Sequence, residues 1–538
     1  MLKKGLSMLC AVLLIAGCFS FAEAAGMTTT VMVYMCGADL ESVDRSASAD
    51  LKEMISAGIA ADGPVKVIVE TGGAEKWHMR AIDSSVNMRF EITADGLKEV
   101  QRLSSSRNMG AASTLKDFIQ FGVTKYPADR YFLILWNHGG GPLEGICFDE
   151  LHDDDGLTME ELTQALKGGL GANKLDAVIF DACLMGSLEV AATMQPFALY
   201  MGASEDSEPG EGLNYKTWLK KLKDDPSIST RDLLETVSDS LVDTISASDP
   251  RENVTFSILD LQQLSVLTAA MDTLGRAASQ LIAESPAVLT TVRESILSFG
   301  EYELDEEEAY PTDLVDIRLV CDLLESALPQ ETAAVHAALD RVVLFNDVSA
   351  SMAAYACGVS VFWPAYTVSD FPEYLDLYPS VAAGTAWSGF AVKYGEEHAV
   401  SNGFHMYAGT NHNQGGLWGM LSDWWNSDDD DSWYDDNDDG YGGLLDYFGF
   451  GMNDGQGSHF SSGPVTAAGN GDYPGLWSDL PGYSGTGNAS YADEGTYPGL
   501  WSDLPGYTGG TVIREDTPAV SAPGGSGLYN GLWDDLRK

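Results

Sequence analysis

Two side chains that can do covalent chemistry stand at the ends of two apolar segments. His138 follows LILWN and precedes three glycines, and Cys183 ends the segment LDAVIFDAC. A thiolate attacks a carbonyl carbon, and an imidazole can protonate the amine that leaves. Taken singly, a histidine after a strand usually caps a surface turn, and a cysteine in an apolar segment usually fills space in a core. Together they predict a Cys–His pair that cleaves an acyl bond and requires no cofactor.

Backbone groups around the pair suit the same chemistry. The glycines after His138 let N–H groups approach a substrate carbonyl, so Gly139 and Cys183 are predicted to donate the two hydrogen bonds of an oxyanion hole. A helical pattern begins at Gly186, and the positive end of a helix would favour the thiolate of Cys183.

The elements that must position these residues alternate along the chain. Apolar segments rich in β-branched residues predict strands at 29–36, 65–71, 131–136, 175–181, 199–204 and 355–363. Amphipathic patterns predict helices at 46–58, 111–125, 158–168, 186–194 and 230–247. A capping box, Thr158 to Glu161, opens the third helix. Such alternation predicts an α/β three-layer sandwich with a mainly parallel central sheet, whose functional groups meet beyond the carboxyl ends of the strands.

Two further regions complete the predicted globular domain, residues 27–398. Segments 86–92 and 97–103 predict a small hairpin. Between about 255 and 346 the pattern changes to successive helices, which predicts a helical subdomain packed on the sheet.

Composition and the N-terminus restrict the partners. With 80 acidic and 30 basic residues the net charge is -50, which repels phosphate backbones, excludes nucleic acid as a partner and attracts cationic substrates or divalent metals. Residues 1–24 have two lysines, an apolar core and small residues, which predicts an export signal. Release after Ala24 is favoured over a lipobox that would acylate Cys18, so the protein is expected to be secreted, periplasmic or lipid-anchored at the cell envelope. No other segment predicts a transmembrane span.

Cysteine spacing predicts no disulfide framework and no zinc knuckle, because the five cysteines after the signal are far apart in the chain.

The C-terminal part, residues 399–538, has a different composition. From residue 401 it holds roughly twenty acidic residues and three basic ones, with seven of the twelve tryptophans. The segment YPGLWSDLPGY occurs at 473–483 and again at 497–507. This composition predicts disorder. Its GLWSDL repeats either dock on a partner groove, a cell-envelope component or the protein's own cleft, or are low-complexity sequence without a partner.

One segment of this tail matches part of a calcium-binding loop. Asp435, Asn437, Asp439 and Asp446 occupy ligand positions of the twelve-residue pattern, with Gly440 at its turn. Flanking helices are not evident, and a solvated acidic linker is the alternative interpretation.

The sequence resembles the clostripain family of cysteine peptidases, which belongs to the clan of caspases, legumains and gingipains. The similarity covers about 365 residues, from VMVYMCGADLE (31–41) to GVSVFWP (358–364). Its most specific blocks are YPADRYFLILWNHGGG (126–141) and FDACLMGSLEV (180–190). The resemblance implies a caspase-like fold, a catalytic dyad of His138 and Cys183, and cleavage of polypeptides after Arg or Lys.

The resemblance also implies which carboxylates bind the basic side chain of the substrate. Asp181 occupies the family's position two residues before the nucleophile, where the alternative is a helix-capping role. Glu205 and Asp206 are weaker candidates, because they could equally be solvated loop charges.

The chain departs from the family in one respect. Several family members are processed after a basic residue between the catalytic pair, yet no Lys or Arg occurs from Gly139 to Leu166. The enzyme is therefore expected to work as a single chain or to be cut elsewhere. The competing hypothesis is a non-catalytic surface or matrix protein in which a caspase-like scaffold presents the acidic tryptophan repeats.

Overall fold

The computed structural model describes residues 27–300, 303–304, 308–309, 312–365, 373–382 and 385–401. The predicted export signal, with Cys18, lies outside the described residues, as does the tail from residue 402 onward. The tail's repeats and the calcium-ligand candidates Asp435, Asn437, Asp439 and Asp446 are therefore outside them as well.

Fifteen strands occur in the described residues. They are β1 (Thr29–Cys36), β2 (Val65–Gly72), β3 (Met88–Thr93), β4 (Gly96–Arg102), β5 (Arg130–Trp136), β6 (Ile146–Asp149), β7 (Asp155–Leu157), β8 (Leu175–Asp181), β9 (Ala198–Ala203), β10 (Thr255–Asp260), β11 (Glu303–Leu304), β12 (Glu308–Ala309), β13 (Leu314–Asp316), β14 (Val343–Val348) and β15 (Ser360–Phe362). Nine of them form one sheet in the order β14-β10-β9-β8-β5-β1-β2-β3-β4.

The centre of this sheet is parallel. Strands β9, β8, β5, β1 and β2 pair in parallel, whereas β3 and β4 at one edge and β10 and β14 at the other are antiparallel. Every residue of β1 and of β5 is buried, which explains their nearly continuous apolar sequences. The prediction of an α/β fold with a mainly parallel central sheet is confirmed.

Helices cover both faces of the sheet. They are α1 (Ala38–Ser42), α2 (Ser46–Ser56), α3 (Ala112–Lys125), α4 (Gly141–Glu144), α5 (Met159–Leu170), α6 (Leu188–Met194), α7 (Tyr215–Asp224), α8 (Thr230–Ser248), α9 (Leu264–Glu284), α10 (Pro286–Glu294), α11 (Ile317–Leu324), α12 (Pro329–Val342), α13 (Glu373–Val381) and α14 (Ala386–Ser401). Alternate residues of β1 point to opposite faces of the sheet and belong to separate hydrophobic cores. Met32 and Tyr34 pack with α3, α5, α6 and α9 in one core. Val31 and Val33 pack with α2, α7 and α8 in the other.

Two predicted elements differ from the structure, and the predicted hairpin forms. Of the strand predicted at 355–363 only β15 forms, and it pairs antiparallel with β13 outside the central sheet. Residues 350–355 form turns and Gly358 has a φ of +117°, so the chain becomes a strand only at β15. The predicted hairpin is β3–β4 at the edge of the main sheet. Region 255–346 contains four helices, but it begins and ends with β10 and β14, which pair with each other.

Among the described residues, none of the helices combines the length and the apolar character that crossing a bilayer would require.

Candidate active site

The two predicted reactive residues follow neighbouring parallel strands at the same level of the sheet. In the register of β5 and β8, Trp136 pairs with Asp181. His138 lies two residues after Trp136, and Cys183 lies two residues after Asp181. A Cβ atom at Gly139 would overlap the carbonyl oxygen of Cys183, so the two turns are in direct contact. The tertiary structure thus brings the thiol-bearing and imidazole-bearing turns together at the carboxyl edge.

The imidazole of His138 contacts a carboxylate that the sequence analysis did not single out. Its Nε2 atom lies 2.9 Å from Oδ1 of Asp39, and the two side chains are 15% and 22% exposed. Burial alone would raise the pKa of Asp39, but the charge and hydrogen bond of His138 and the N–H of Leu40 outweigh it, so this pKa is lowered. Asp39 follows the end of β1 much as His138 follows the end of β5. This position after a strand was the sequence signal by which Asp39 could have been identified.

Cys183 is partly exposed, and its sulfur contacts the backbone of the loop that follows β9. The N–H of Glu208 donates a hydrogen bond to Sγ at 3.2 Å. The predicted helix begins later than Gly186: α6 starts at Leu188, with Ser187 as its N-cap. The N–H group that donates to the sulfur in this contact therefore belongs to a loop and not to a helix end.

Residue 184 has an unusual backbone conformation. Leu184 has a φ of +67°, in the left-handed region that non-glycine residues seldom adopt. Its N–H donates to the carbonyl of Asp206 at 3.0 Å, which holds the turn after Cys183 against the 206–208 loop. Backbone strain of this kind often occurs at functional sites.

The backbone N–H of Gly139 takes no part in the pairing of its own segment with the segment around Ile146. Gly139 forms an isolated antiparallel bridge with Ile146, and the two hydrogen bonds of that bridge, 3.3 and 2.9 Å, are made by His138 and Gly140 on either side. In a pair of this type the N–H of the central residue points away from the partner strand. The N–H of Gly139 thus faces away from Ile146.

Asp181 is buried beside the reactive pair. It is 6% exposed, and its oxygens accept hydrogen bonds from the hydroxyl of Tyr215 at 2.6 Å and from the N–H of Leu213 at 3.2 Å. Burial raises its pKa to about 6, although these hydrogen bonds oppose the shift. It does not cap α6, because Ser187 fills that position.

Two further carboxyl groups lie near Asp181. Asp50, on α2, is 5% exposed and accepts a hydrogen bond from Nε1 of Trp136 at 2.7 Å. Glu208 accepts one from the N–H of Ala182 at 3.0 Å. Burial, and then the charge of Asp181, raises the pKa of both Asp50 and Glu208 well above the usual range. The salt bridges of the described residues include none of these three carboxyls.

Sequence reasoning missed Asp50 and Glu208 for different reasons. Glu208 lies in the segment ASEDSEPGEGLNY (203–215), within the roughly 365 residues that resemble the clostripain family, so its signal was available. Asp50 lies inside an amphipathic helix, where an acidic residue normally faces solvent. Only the packing of α2 against the strand ends reveals it.

Glu205 and Asp206, the weaker candidates, have other partners. Glu205 is 1% exposed and accepts a hydrogen bond from the N–H of Gly358 at 2.7 Å, beside Asp316. Asp206 accepts one from the N–H of Gly300 at 2.8 Å. The structure does not bring either carboxylate together with Asp181.

No group of three or more potential metal ligands occurs in the described part of the chain. None of the five cysteines in that part forms a disulfide.

A cysteine and a histidine at adjacent strand ends of a parallel α/β sheet are an arrangement suited to a cysteine peptidase. A sequence profile of the clostripain family matches residues 33–387, which is about two thirds of the chain. The chain therefore belongs to the clostripain family of cysteine proteases.

Individual relatives agree with this assignment. Clostripain of Hathewaya histolytica is 37% identical over 119 residues, a stretch of 19% of this chain and only 22% of that protein's length. An inactive zymogen C11 protease of Parabacteroides distasonis has a similar fold, with a TM-score of 0.50 and 21% identity over 68% of this chain and 98% of that one. A secreted C11 cysteine protease of Bacteroides thetaiotaomicron gives a TM-score of 0.50 and 16% identity over 68% and 99%.

Proposed function

We propose that this protein is an exported cysteine endopeptidase that cleaves polypeptides after Arg or Lys. Cys183 is the nucleophile, and His138 is the general acid and base. The observation that carries the specificity is the group of three carboxyls near the nucleophile, Asp50, Asp181 and Glu208, two of which are almost fully buried. These groups have no basic partner among the described salt bridges.

The proposed reaction uses only protein groups and water. His138 takes the proton of the Cys183 thiol, Sγ attacks the carbonyl carbon, and His138 gives that proton to the leaving amine as the C–N bond breaks. His138 then takes a proton from water, the resulting hydroxide attacks the thioester, and the C–S bond breaks as the proton returns to Sγ of Cys183. The N–H groups of Gly139 and Cys183 are the proposed donors to the oxyanion, and the orientation of Gly139 away from Ile146 supports this role.

A basic substrate side chain would satisfy the buried carboxyls. Burying a carboxylate is unfavourable unless a cation or several hydrogen bonds compensate, and this is why the pKa values of these groups are raised. A guanidinium or ammonium supplies both the charge and the donors. An uncharged side chain would leave the carboxyls without compensation, so selectivity for Arg and Lys follows.

Export rests on different support. The N-terminal residues have the composition of an export signal. The Bacteroides thetaiotaomicron relative is described as secreted. We extend this location to the present protein as part of the proposal.

Fluorogenic peptides that end in Arg, Lys, Asn or Asp test the proposal. The wild-type protein should release the fluorophore only after Arg or Lys, and Cys183→Ala and His138→Ala should both abolish turnover. Cys357→Ala is the matched control, because Cys357 is also a partly exposed thiol but has Asp316 and Glu205 as its charged neighbours, and this variant should retain activity. Turnover that survives in Cys183→Ala, or that prefers Asn or Asp, contradicts the proposal. Absence of turnover together with capture of an envelope component by the tail supports the binding protein instead.

A further inference from the structure

We propose that Asp39 is a positioning residue for His138, which fixes the orientation of its ring and stabilises its protonated form during the reaction. This inference rests on the proposed function of His138 as the general acid and base. It extends the pair of Cys183 and His138 to three side chains in a row.

The topology of the sheet places the three residues on adjacent strands. The order β8-β5-β1 puts the ends of these strands side by side, and the register pairs Trp136 of β5 with both Asp181 of β8 and Met35 of β1. The turn after each strand therefore carries one group: a thiol after β8, an imidazole after β5 and a carboxylate after β1.

The backbone around Asp39 is held in a conformation that points to a functional role. Ala38 has a φ of +44°, which is unfavourable for a residue with a Cβ atom. Two hydrogen bonds to the end of β2 hold this turn: the N–H of Gly37 donates to Gly72 at 2.8 Å and that of Ala38 to Gly73 at 3.1 Å. Strain that the surroundings maintain beside reactive groups is typical of functional sites.

The contact itself determines which nitrogen of His138 can react. Nε2 of His138 lies 2.9 Å from Oδ1 of Asp39, so the proton on Nε2 is held by the carboxylate. Nδ1 is then the nitrogen that exchanges a proton with the thiol, the leaving amine and water. Because the pKa of Asp39 is lowered, its carboxylate stays charged through the neutral range and stabilises the positive charge of the imidazolium.

Other titratable groups of the described residues lie near this pair. The thiol of Cys183 lies on the β8 side, and the thiol of Cys36 and the carboxyl of Glu150 lie near Asp39. Burial raises the pKa of Cys36 well above its usual value, so this thiol remains neutral. Glu150 adds negative charge near Asp39, but its carboxylate bonds with Ser42 and Glu75 rather than with His138.

Two substitutions separate the hydrogen bond from the charge. Asp39→Ala removes both, and kcat should fall about 10- to 100-fold while KM changes by less than about threefold, because the substrate-binding carboxyls are untouched. Asp39→Asn keeps the acceptor but removes the charge. The alkaline limb of its pH profile for kcat/KM should move to lower pH by about one unit, because the imidazolium loses its stabilising partner. Glu150→Gln is the control, since it removes a nearby charge without contacting His138, and its profile should match the wild type.

The inference is overturned if Asp39→Ala keeps the wild-type kcat, or if Glu150→Gln shifts the profile as far as Asp39→Asn does. Thermal unfolding of each variant identifies a loss of activity that comes from misfolding. If Asp39→Ala does not fold, Asp39→Asn still provides the test, because asparagine has the same shape as the native side chain.

A second readout does not need turnover and separates this inference from the proposed function. The rate at which iodoacetamide alkylates Cys183 is measured against pH in a Cys357→Ala background, with the modified peptide quantified by mass. Asp39→Asn should change the pH dependence of this rate, because the charge of His138 affects thiolate formation. Identical profiles in both proteins contradict the role of Asp39. If the wild-type protein cleaves no peptide after Arg or Lys, the proposed function fails. The alkylation result still decides whether Asp39 affects the ionisation of His138 and Cys183.

Discussion

The chemistry of individual residues at this site depends on what surrounds them. Asp39 and Asp181 are both aspartates near strand ends, yet the pKa of one is lowered and that of the other is raised to about 6. Asp39 faces a histidine that can carry a positive charge. Asp181 faces a tyrosine hydroxyl and other carboxyls, and its burial dominates.

The pH dependence of ligand binding follows from the raised pKa of Asp181. A carboxyl whose pKa is raised on folding stabilises the folded protein below its unfolded pKa of about 4 and loses that contribution as the pH rises through the folded value. Because the folded value is about 6, the site at pH 7.5 carries an unfavourable charge that a cation relieves. Agmatine, a guanidinium probe, should bind about tenfold more tightly at pH 7.5 than at pH 5 by calorimetry. Equal affinity at the two pH values would contradict the proposed role of Asp181.

Removing the charge of Asp181 should also weaken catalysis on basic substrates. For Asp181→Asn we expect kcat/KM on Arg and Lys peptides to fall about 10- to 100-fold, since a hydrogen bond to a charged group contributes roughly 1.5–3 kcal/mol. Asp176→Asn is a matched control on the same strand, where Asp176 accepts a hydrogen bond from the N–H of Tyr131 far from the reactive pair. Steady-state kinetics on both variants decides the matter: an equal loss in the two would indicate a general effect on β8.

At the scale of elements, the close approach of two turns joins β5 to β8. Gly139 lies where any side chain would overlap the carbonyl oxygen of Cys183. A glycine is therefore required by packing, apart from its proposed part in the oxyanion hole.

Gly139→Ala should separate the two turns. We expect activity to fall by more than about tenfold, because small displacements of reacting groups are costly. Gly389→Ala is the control: Gly389 is exposed on α14 with open space around its Cα, so the change should leave activity intact and stabilise the fold by about 0.5–1 kcal/mol. Kinetics and urea unfolding measure the two effects. Full activity of Gly139→Ala would show that the turns need not be in contact.

The elements nearest the sheet centre were the most predictable. The limits of β1 and β8 agree with the predicted strands, and the predicted capping box at Thr158 is present at the start of α5. Apolar sequence and local hydrogen bonds specify these features directly. The strand predicted at 355–363 was wrong over most of its length, because Cys357 and Gly358 donate to the buried carboxylates of Asp316 and Glu205, contacts that no local pattern encodes.

At the scale of the whole molecule, a buried pair of carboxyls connects the central sheet to the small sheet of β13 and β15. Glu205 follows β9 and Asp316 ends β13, and both are at most 1% exposed. Burial, and then the charge of Asp316, raises the pKa of Glu205 well above its usual value, and burial raises that of Asp316. Their surroundings favour the protonated form of Glu205, so the two carboxyls can share a proton that Glu205 donates to Asp316.

This pair should make the folded protein less stable as the pH rises. A raised pKa on folding means that the stabilising contribution is present at low pH and is lost as the carboxyls ionise at higher pH. Glu205→Gln retains a donor that cannot ionise, so its free energy of unfolding should exceed that of the wild type by at least about 1 kcal/mol at pH 9 and match it near pH 5. Urea unfolding at the two pH values tests this, with exposed Glu160→Gln as a control that should leave the difference unchanged. A Glu205→Gln variant less stable than the wild type at pH 9 would refute the shared proton.

The sequence by itself determined the parallel α/β fold and the positions of Cys183 and His138 at strand ends, because apolar periodicity and glycine placement are local properties of the chain. It also carried the clostripain-family blocks on which the assignment rests. The tertiary structure alone decided that Asp39 contacts His138, that Asp50 lies beside Asp181, and that Glu205 faces Asp316. Each of these contacts joins residues that are distant in the chain, and their energies depend on burial and on neighbouring charges. Those quantities exist only once the strands have taken their order in the sheet.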